Sequence, residues 1–172
     1  ELVEHGIPWD HCIAIPCPIV YKNPLHKVFK KEIHPTYIFV SRVVRMKGVD
    51  EVIKAFAFIY REEQKSKLWI VGGGDDKYMN ELKTMISEYG IEKNVEWFGI
   101  VSEKKKYELM ARAHLLLHAS VKEGWGLVVL EAASVGTPAV VYNVSGLKDV
   151  VHNGETGIVV ADNSPFVMAS DA

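Results

Sequence analysis

HASVKEGWGLVVLEAASVGT, residues 118–137, is the stretch from which the architecture of this chain is inferred most directly. It reads as the end of a strand, a glycine-containing turn and the start of an apolar helix, with the carboxylates Glu123 and Glu131 on either side of the helix start. Glycine in the turn permits backbone conformations that other residues resist. The turn leads into a helix N-terminus, whose unpaired N–H groups and dipole favour an anion such as a phosphate.

Glu131 is unusual because the helix around it is apolar on almost every side. A helix that is hydrophobic all round is usually buried, so we predict a buried helix that begins near Leu127. A buried carboxylate is costly unless it is paired or hydrogen-bonded, and no cation lies three or four residues from Glu131 on this helix. The sequence therefore predicts that the partner of Glu131 comes from elsewhere.

The spacing of the two carboxylates suggests an extended ligand. Glu123 and Glu131 are separated by about 10 Å along the axis if most of the interval is helical, a span that fits a sugar and a ribose on either side of a diphosphate. Two other interpretations stay open. The carboxylates are structural, one capping and one salt-bridged, or they are an acid and base pair as in glycosidases, whose carboxyls face one bond across about 5 to 9.5 Å.

The composition favours a single well-cored domain. The chain has 172 residues, of which 48% are apolar, with 20 basic and 22 acidic side chains. No run of about 18 apolar residues predicts a membrane span, and no basic excess favours nucleic acid. Cys12 and Cys17 are expected to be buried small side chains and not a bridge or a metal site. We expect a cytoplasmic protein without nucleic-acid or membrane contacts.

Residues 1–35 are rich in proline and histidine and predict an interdomain segment outside the core. The chain begins at Glu1 without a methionine, and it ends soon after the start of a possible last helix. We therefore expect it to be a piece of a larger protein.

Strands and helices alternate through residues 36–172. Predicted strands are 37–43, 68–71, 95–98, 115–118, 139–142 and 157–160, and predicted helices are 49–60, 77–89, 102–113, the helix from Leu127, and 147–151. Ser102 is a plausible N-cap. This alternation predicts an α/β fold, a parallel sheet with helices on both faces and right-handed crossovers. Ligands of such sheets bind beyond the carboxyl ends of the strands, which here are followed by residues 41–48, 72–76, 99–102 and 119–126.

Arg42 and Lys47 follow the first of these strands, in SRVVRMKG. Arginine binds phosphate through a planar fork and lysine as a compact charge, so the pair can neutralise a diphosphate without a metal. The alternative is a solvated loop that carries ordinary charges. Both interpretations stay open on spacing alone.

The glycine run 72–74 does not predict a dinucleotide site. The fingerprint requires a third glycine where Lys77 stands, and the following strand does not end in Asp or Glu. A tight turn near the ligand cleft, centred on Gly73, is the better interpretation, beside a purely structural role.

His114 and His118 are four residues apart, but the residues between them look like a strand and no glutamate follows as in zinc proteases. A polar lining role for His118 beside Glu123 stays open. The charge run 104–106, all lysine, is typical of a solvated helix face.

Five stretches resemble the C-terminal, nucleotide-sugar-binding domain of the family-4 retaining glycosyltransferases, which have the two-domain GT-B fold. They are SRVVRMKG, LWIVGGGDD, VEWFGIVS, ELMARAHLLLHASVKEGWGLVVLEAASVGTPAVVYNVSGLKDVV and NGETGIVV, and they span most of residues 36–160. The resemblance implies a Rossmann-like domain, the C-terminal half of a GT-B fold, that binds a nucleotide diphosphate sugar as donor substrate without a cofactor.

The resemblance also implies roles for single residues. Arg42 and Lys47 are similar to the pair that holds the donor diphosphate and stabilises the leaving group, and Glu123 to the glutamate that touches the transferred sugar. Glu131 matches the glutamate that accepts hydrogen bonds from the ribose. Backbone roles toward sugar and phosphate fall on Gly124, Trp125, Gly126 and Leu127, and roles toward the nucleobase on Ile100 and Val101.

The chain departs from the family pattern at Cys17-Pro18, where relatives often carry Asn-Gly, and we expect the N-terminal acceptor domain to lie outside this stretch of sequence. We expect a hexosyltransferase fragment that binds donor with little or no transfer, without its last C-terminal helix. The alternatives are a nucleotide-sugar sensor or assembly module without turnover, and an epimerase or phosphorylase of GT-B architecture. A second βα domain upstream favours the enzyme.

Overall fold

The structure is a computed structural model that describes residues 5–11 and 28–172. Cys12, Cys17 and most of the predicted interdomain segment lie outside the described residues. Within its described part, Trp9–His11 forms one turn of 3-10 helix.

Six parallel strands form one sheet, as predicted from the alternating pattern. They are β1 Thr36–Val40, β2 Lys67–Val71, β3 Val95–Gly99, β4 Leu115–His118, β5 Ala139–Val141 and β6 Gly157–Val159. The central strands are continuous apolar runs because both faces of a parallel sheet are covered. The spatial order is β3-β2-β1-β4-β5-β6, which is the Rossmann-type order.

Five helices cover the two faces. They are α1 Val49–Glu62, α2 Asp76–Glu88, α3 Glu103–Arg112, α4 Leu127–Ser134 and α5 Pro165–Asp171. One apolar core joins the sheet to α1, α2 and α5, and a second joins the other face to α3 and α4. Within the described residues, no helix is long and apolar enough to cross a membrane.

The strand order reverses between β1 and β4, which are neighbours in the sheet although three helices separate them along the chain. The connections that follow these two strands therefore leave the sheet in opposite directions. A crevice opens between them at the carboxyl edge, which is where open α/β sheets bind ligands.

Ser102 caps α3 as predicted, because its hydroxyl accepts a hydrogen bond from the N–H of Lys105 at 3.3 Å. The predicted helix at 147–151 is wrong, since the segment forms consecutive turns. Gly146 enters this segment at φ 85° and donates its N–H to the carboxylate of Asp149 at 2.9 Å. This bond closes a tight turn where a helix would begin.

The predicted burial of α4 is also wrong. Val129 and Ala132 are buried, but Leu127 is 40% exposed and the other apolar side chains are half-buried or exposed. The helix has only two turns and packs on α3 and β5. Part of its remaining face is open, with Leu127 and Ala133 exposed.

At the amino edge, the chain before β1 is fastened to the starts of β4 and β5. Lys31 Nζ donates to the carbonyl of Ala113 at 2.6 Å, the hydroxyl of Thr137 at 2.8 Å and the carbonyl of Gly136 at 3.0 Å. Burial lowers the pKa of Lys31. All three donors of this ammonium group are used inside the protein.

Candidate functional site

The loops after β1 and β4 are joined at the carboxyl edge. Met46 O accepts hydrogen bonds from the Ser120 hydroxyl at 2.9 Å and the Val121 N–H at 3.0 Å. Gly48 lies between them at φ 66°, and a β-carbon there would overlap the carbonyl of Ala119. Only glycine lets the two loops approach so closely.

The loops after β2 and β3 continue the same edge. Val43 N–H donates to Gly73 O at 2.8 Å, and Gly72 N–H donates to Gly99 O at 2.8 Å. The position of a β-carbon on Gly73 is 3.0 Å from the side chain of Ile100. All four loops predicted to face a ligand are therefore in contact along one edge of the sheet.

A cavity of about 810 Å³ opens where the first and fourth loops meet. It is lined by Arg42, Met46, Lys47, Val121, Lys122, Glu123, Gly124, Val144 and Ser145. Four of the residues predicted from the sequence lie on it together, namely Arg42, Lys47, Glu123 and Gly124. Three cations and one carboxylate make the lining net positive, which suits an anionic ligand.

Glu123 is held by two donors at the cavity wall. Lys47 Nζ donates to Glu123 Oε2 at 2.6 Å, and both side chains are mostly buried. His118 Nε2 lies 3.3 Å from the same oxygen. Hydrogen bonding to His118, with Lys47 acting in the same direction against the effect of burial, lowers the pKa of Glu123 to about 2. The carboxylate is therefore ionised at neutral pH.

Glu131 finds its partner on the neighbouring helix. Lys106 Nζ of α3 lies 2.8 Å from Glu131 Oε2 and 4.9 Å from the centroid of the Tyr107 ring. The prediction that the partner comes from outside α4 is confirmed, but the charge run was expected to be a solvated face. Helical spacing alone does not show that the third lysine of this run faces α4.

The start of α4 is left uncapped by side chains. Gly126 is its N-cap at φ 57°, and no described side chain bonds to the first turn. By contrast, α2 and α3 are capped by Asp75 and Ser102. A β-carbon on Gly126 would lie 2.6 Å from Gly146 O, so the loop after β5 packs closely on this turn. The first N–H groups of α4 can therefore serve a ligand.

The remaining predicted residues lie on the same edge but do not line the cavity. Trp125 and Leu127 are exposed beside it, and Ile100 is 88% exposed near Gly73. Val101 is partly buried against the α3 and α4 core. The cavity thus collects the residues predicted for diphosphate and sugar, and those predicted for ribose and base extend from it along the edge.

Sequence reasoning missed the loop after β5. Val144 and Ser145 line the cavity, and the β-carbon position of Gly146 is 2.6 Å from Glu123 O. The signal was available, because this loop also follows the carboxyl end of a predicted strand. Met46, Val121 and Lys122 were missed as lining residues, although they lie within loops that were predicted. Within residues 5–11 and 28–172, no three His, Cys, Asp or Glu side chains form a possible metal ligand set.

The family model described as glycosyl transferases group 1 matches residues 23–170. The chain is 33% identical over 132 residues to an uncharacterized glycosyltransferase of Methanocaldococcus jannaschii, covering 77% of this chain and 33% of the relative. It is 30% identical over 171 residues to a GDP-mannose-dependent alpha-(1-6)-phosphatidylinositol monomannoside mannosyltransferase of Mycobacterium tuberculosis, covering 95% of this chain and 43% of that protein.

Among solved structures, HepE from Anabaena in complex with UDP-glucose superposes with a TM-score of 0.74 at 26% identity. The superposition covers 80% of this chain and 38% of HepE. The chain spans about a third of the length of the curated relatives it matches.

Proposed function

The chain belongs to the glycosyl transferases group 1 family, and from this we propose that residues 36–172 form the nucleotide-sugar-binding domain of a retaining glycosyltransferase. In the proposed reaction, a hexose passes from a nucleotide diphosphate sugar to an acceptor hydroxyl with retention of anomeric configuration. The observation that carries the proposal is the meeting of Arg42, Lys47 and Glu123 on one cavity at the reversal of strand order.

Arg42 and Lys47 are proposed to hold the diphosphate. Negative charge develops on this group as the sugar departs, and preorganised cations stabilise that charge in the transition state. Lys47 is positioned by its ion pair with Glu123, and the uncapped start of α4 adds N–H groups and its dipole. The proposal assigns this work to protein groups, without a metal ion or a cofactor.

Glu123 and the turn after it are proposed to hold the transferred sugar. The carboxylate lines the cavity and is ionised, so it accepts hydrogen bonds from sugar hydroxyls. Nothing lies within 4 Å of a β-carbon placed on Gly124, which leaves room for a ligand against the backbone of that residue.

Glu131 is proposed to accept hydrogen bonds from the ribose hydroxyls. Its ion pair with Lys106 is compatible with this role, because a carboxylate offers about four acceptor positions and the lysine uses one. The nucleobase is assigned to the backbone of Ile100 and Val101, beside Gly73. In the proposed two-domain enzyme, a second domain would supply the acceptor site.

The relatives support a nucleotide-sugar donor but differ in the nucleotide. HepE was crystallised with UDP-glucose, and the mycobacterial relative is named as GDP-mannose-dependent. We therefore test the donor class before the base, using a thermal-shift panel of uridine, guanosine and adenosine diphosphate sugars against the 172-residue chain. A ligand at about 100 times its dissociation constant adds about 2.7 kcal/mol, or roughly 2 to 4 °C at this size.

Failure of every nucleotide sugar to stabilise the wild-type chain would overturn the proposal. The ribose assignment is tested separately with Glu131→Ala, which should abolish most of the shift. Glu108→Ala is the matched control, because Glu108 also forms an ion pair of 2.8 Å with a lysine of α3, Lys105. Equal shifts for the two variants would contradict the ribose role alone. We expect the chain by itself to bind donor with little or no transfer.

A further inference from the structure

His118 is the last residue of β4, and its side chain is completely buried. The ring packs against Phe39 with centroids 5.7 Å apart. The backbone is fixed as well, because His118 O accepts a hydrogen bond from the N–H of Tyr142 at 3.1 Å. The ring is therefore held in place, and its Nε2 faces Glu123.

The two ring nitrogens are treated very differently. Nε2 lies 3.3 Å from Glu123 Oε2, whereas Nδ1 is buried without a hydrogen-bond partner among the described residues. Since the ionised carboxylate can only accept, Nε2 carries a hydrogen and donates it to Glu123. An unsatisfied buried group costs free energy, and an apolar side chain in the same space would avoid that cost. Among the described residues, the contact with Glu123 is the only polar contact of this ring, and it offsets that cost.

The two carboxylate oxygens of Glu123 have different partners. Oε2 accepts from Lys47 at 2.6 Å and faces His118. Oε1 accepts only the N–H of Gly124, at 3.2 Å, among the described residues. Two donors on one oxygen, Lys47 from the loop after β1 and His118 from the end of β4, fix the rotamer of the carboxylate. They leave acceptor capacity on the other oxygen at the cavity.

We propose that His118 is a positioning residue for the transferred sugar, because its Nε2–H holds Glu123 in the orientation that presents Oε1 to sugar hydroxyls. The role rests on the proposed function of the cavity. It acts on the sugar and not on the diphosphate, since Arg42 and Lys47 provide the charge for the latter. Loss of His118 should therefore weaken binding of a nucleotide sugar more than binding of the corresponding nucleoside diphosphate.

The test is isothermal titration calorimetry of the 172-residue chain with UDP-glucose and UDP, and with GDP-mannose and GDP. His118→Leu should lower affinity for the nucleotide sugar that binds wild type by about tenfold, as expected for loss of a hydrogen bond to a charged group. Affinity for the diphosphate should change less than about threefold. His118→Gln places an amide N–H near Nε2 and should restore most of the sugar affinity.

His114→Leu is the matched control, because His114 precedes the opposite end of β4 and its Nδ1 accepts from the Thr36 N–H at 3.1 Å. This variant also removes a histidine hydrogen bond, next to the start of the strand that ends at His118, but it should leave both affinities unchanged. Equal losses for sugar and diphosphate in His118→Leu, or no rescue by His118→Gln, would overturn the positioning role.

The hydrogen on Nε2 gives a test on the wild-type protein. Nitrogen chemical shifts of the wild-type imidazole, assigned by comparison with His118→Gln, should show hydrogen on Nε2. Absence of hydrogen from Nε2 contradicts the proposal. Wild type that binds no nucleotide sugar would refute the proposed function of the cavity, whereas wild type that binds while His118→Leu binds equally well refutes only the role of His118.

Discussion

Two lysines at opposite edges of the sheet show how differently the two edges are built. At the amino edge, Lys31 donates to three protein oxygens and links the chain before β1 to the starts of β4 and β5. At the carboxyl edge, Lys47 has one carboxylate partner and lines an open cavity. A cation whose three donors are all satisfied by protein oxygens contributes to folding, whereas one held in place by a single partner keeps capacity for a ligand. The comparison teaches that a lysine suited to a ligand is held in place by one partner and still has free hydrogen-bond donors.

The largest expected effect comes from glycines at the two edges. Gly48→Ala places a β-carbon into the carbonyl of Ala119 at positive φ, so the two loops of the cavity must separate. We expect a loss of about 3 kcal/mol or more in the free energy of unfolding, measured in urea. Gly90, at the amino edge, has φ 67° with no atom within 4 Å of its β-carbon position. Gly90→Ala should cost only about 1 kcal/mol, and equal costs would show that the loop contact is not tight.

The second effect separates two ion pairs of equal length. Lys47→Met removes a proposed diphosphate ligand and one of the two donors on Glu123, and we expect nucleotide-sugar affinity to fall about 100-fold in calorimetry. Lys54→Met removes a cation that also lies 2.6 Å from a carboxylate, that of Glu51, on the surface of α1. This control should leave affinity within about twofold. A similar loss in both variants would mean that general electrostatics, and not the site, governs binding.

Much of the fold follows from the sequence because the strands are buried on both faces and the helices have strong periodicity. All six strands and four of the five predicted helices are found, with ends shifted by a few residues. The failures have local causes. The turn at Gly146 and the Asp149 side chain replace the predicted short helix, and the open face of α4 depends on which helices lie beside it. Neither packing nor side-chain capping of that kind is encoded in apolar spacing.

The candidate site is predicted in part for a related reason. Loops after parallel strands meet at one edge, so the meeting of Arg42, Lys47 and Glu123 follows from topology. The partner of Glu131 does not, because the Lys106 contact depends on the packing of α3 on α4. The assigned roles of Ile100, Val101 and Glu131 toward base and ribose remain predictions that binding experiments must test.

The third effect tests the hydrogen bonds of Lys31 at the amino edge of the sheet. Lys31→Met leaves the carbonyls of Ala113 and Gly136 without this donor, and we expect a loss of about 2 kcal/mol in the free energy of unfolding. Nucleotide-sugar affinity should not change, since Lys31 lies at the edge opposite the cavity. Lys30→Met, which changes an exposed neighbour, should cost less than about 0.5 kcal/mol. A loss of affinity in Lys31→Met would contradict the independence of the two edges.

The smallest effect is the pH dependence of the stability that Glu123 contributes at the carboxyl edge of the sheet. Hydrogen bonding to His118 and the ion pair with Lys47 lower the pKa of Glu123 from 4.5 to about 2. Because the folded state binds the proton more weakly than the unfolded state, the stabilisation is complete above pH 4.5 and is lost as the pH falls toward 2. Wild type should exceed Glu123→Gln by about 1 to 2 kcal/mol at pH 6, after screening by solvent at the cavity. That difference should shrink in acid.

The measurement is urea unfolding of wild type and Glu123→Gln between pH 6 and pH 3. The lower part of this range lies in the interval where Glu123 takes up its proton. In a Lys47→Met background, the pH-dependent part of the difference should be smaller, because the carboxylate has then lost its ion pair and keeps its contact with His118. If the difference in the free energy of unfolding between the two proteins stays constant across this range, His118 and Lys47 do not hold Glu123 in solution. The carboxyl edge would then lack the fixed carboxylate on which the proposed sugar contact depends.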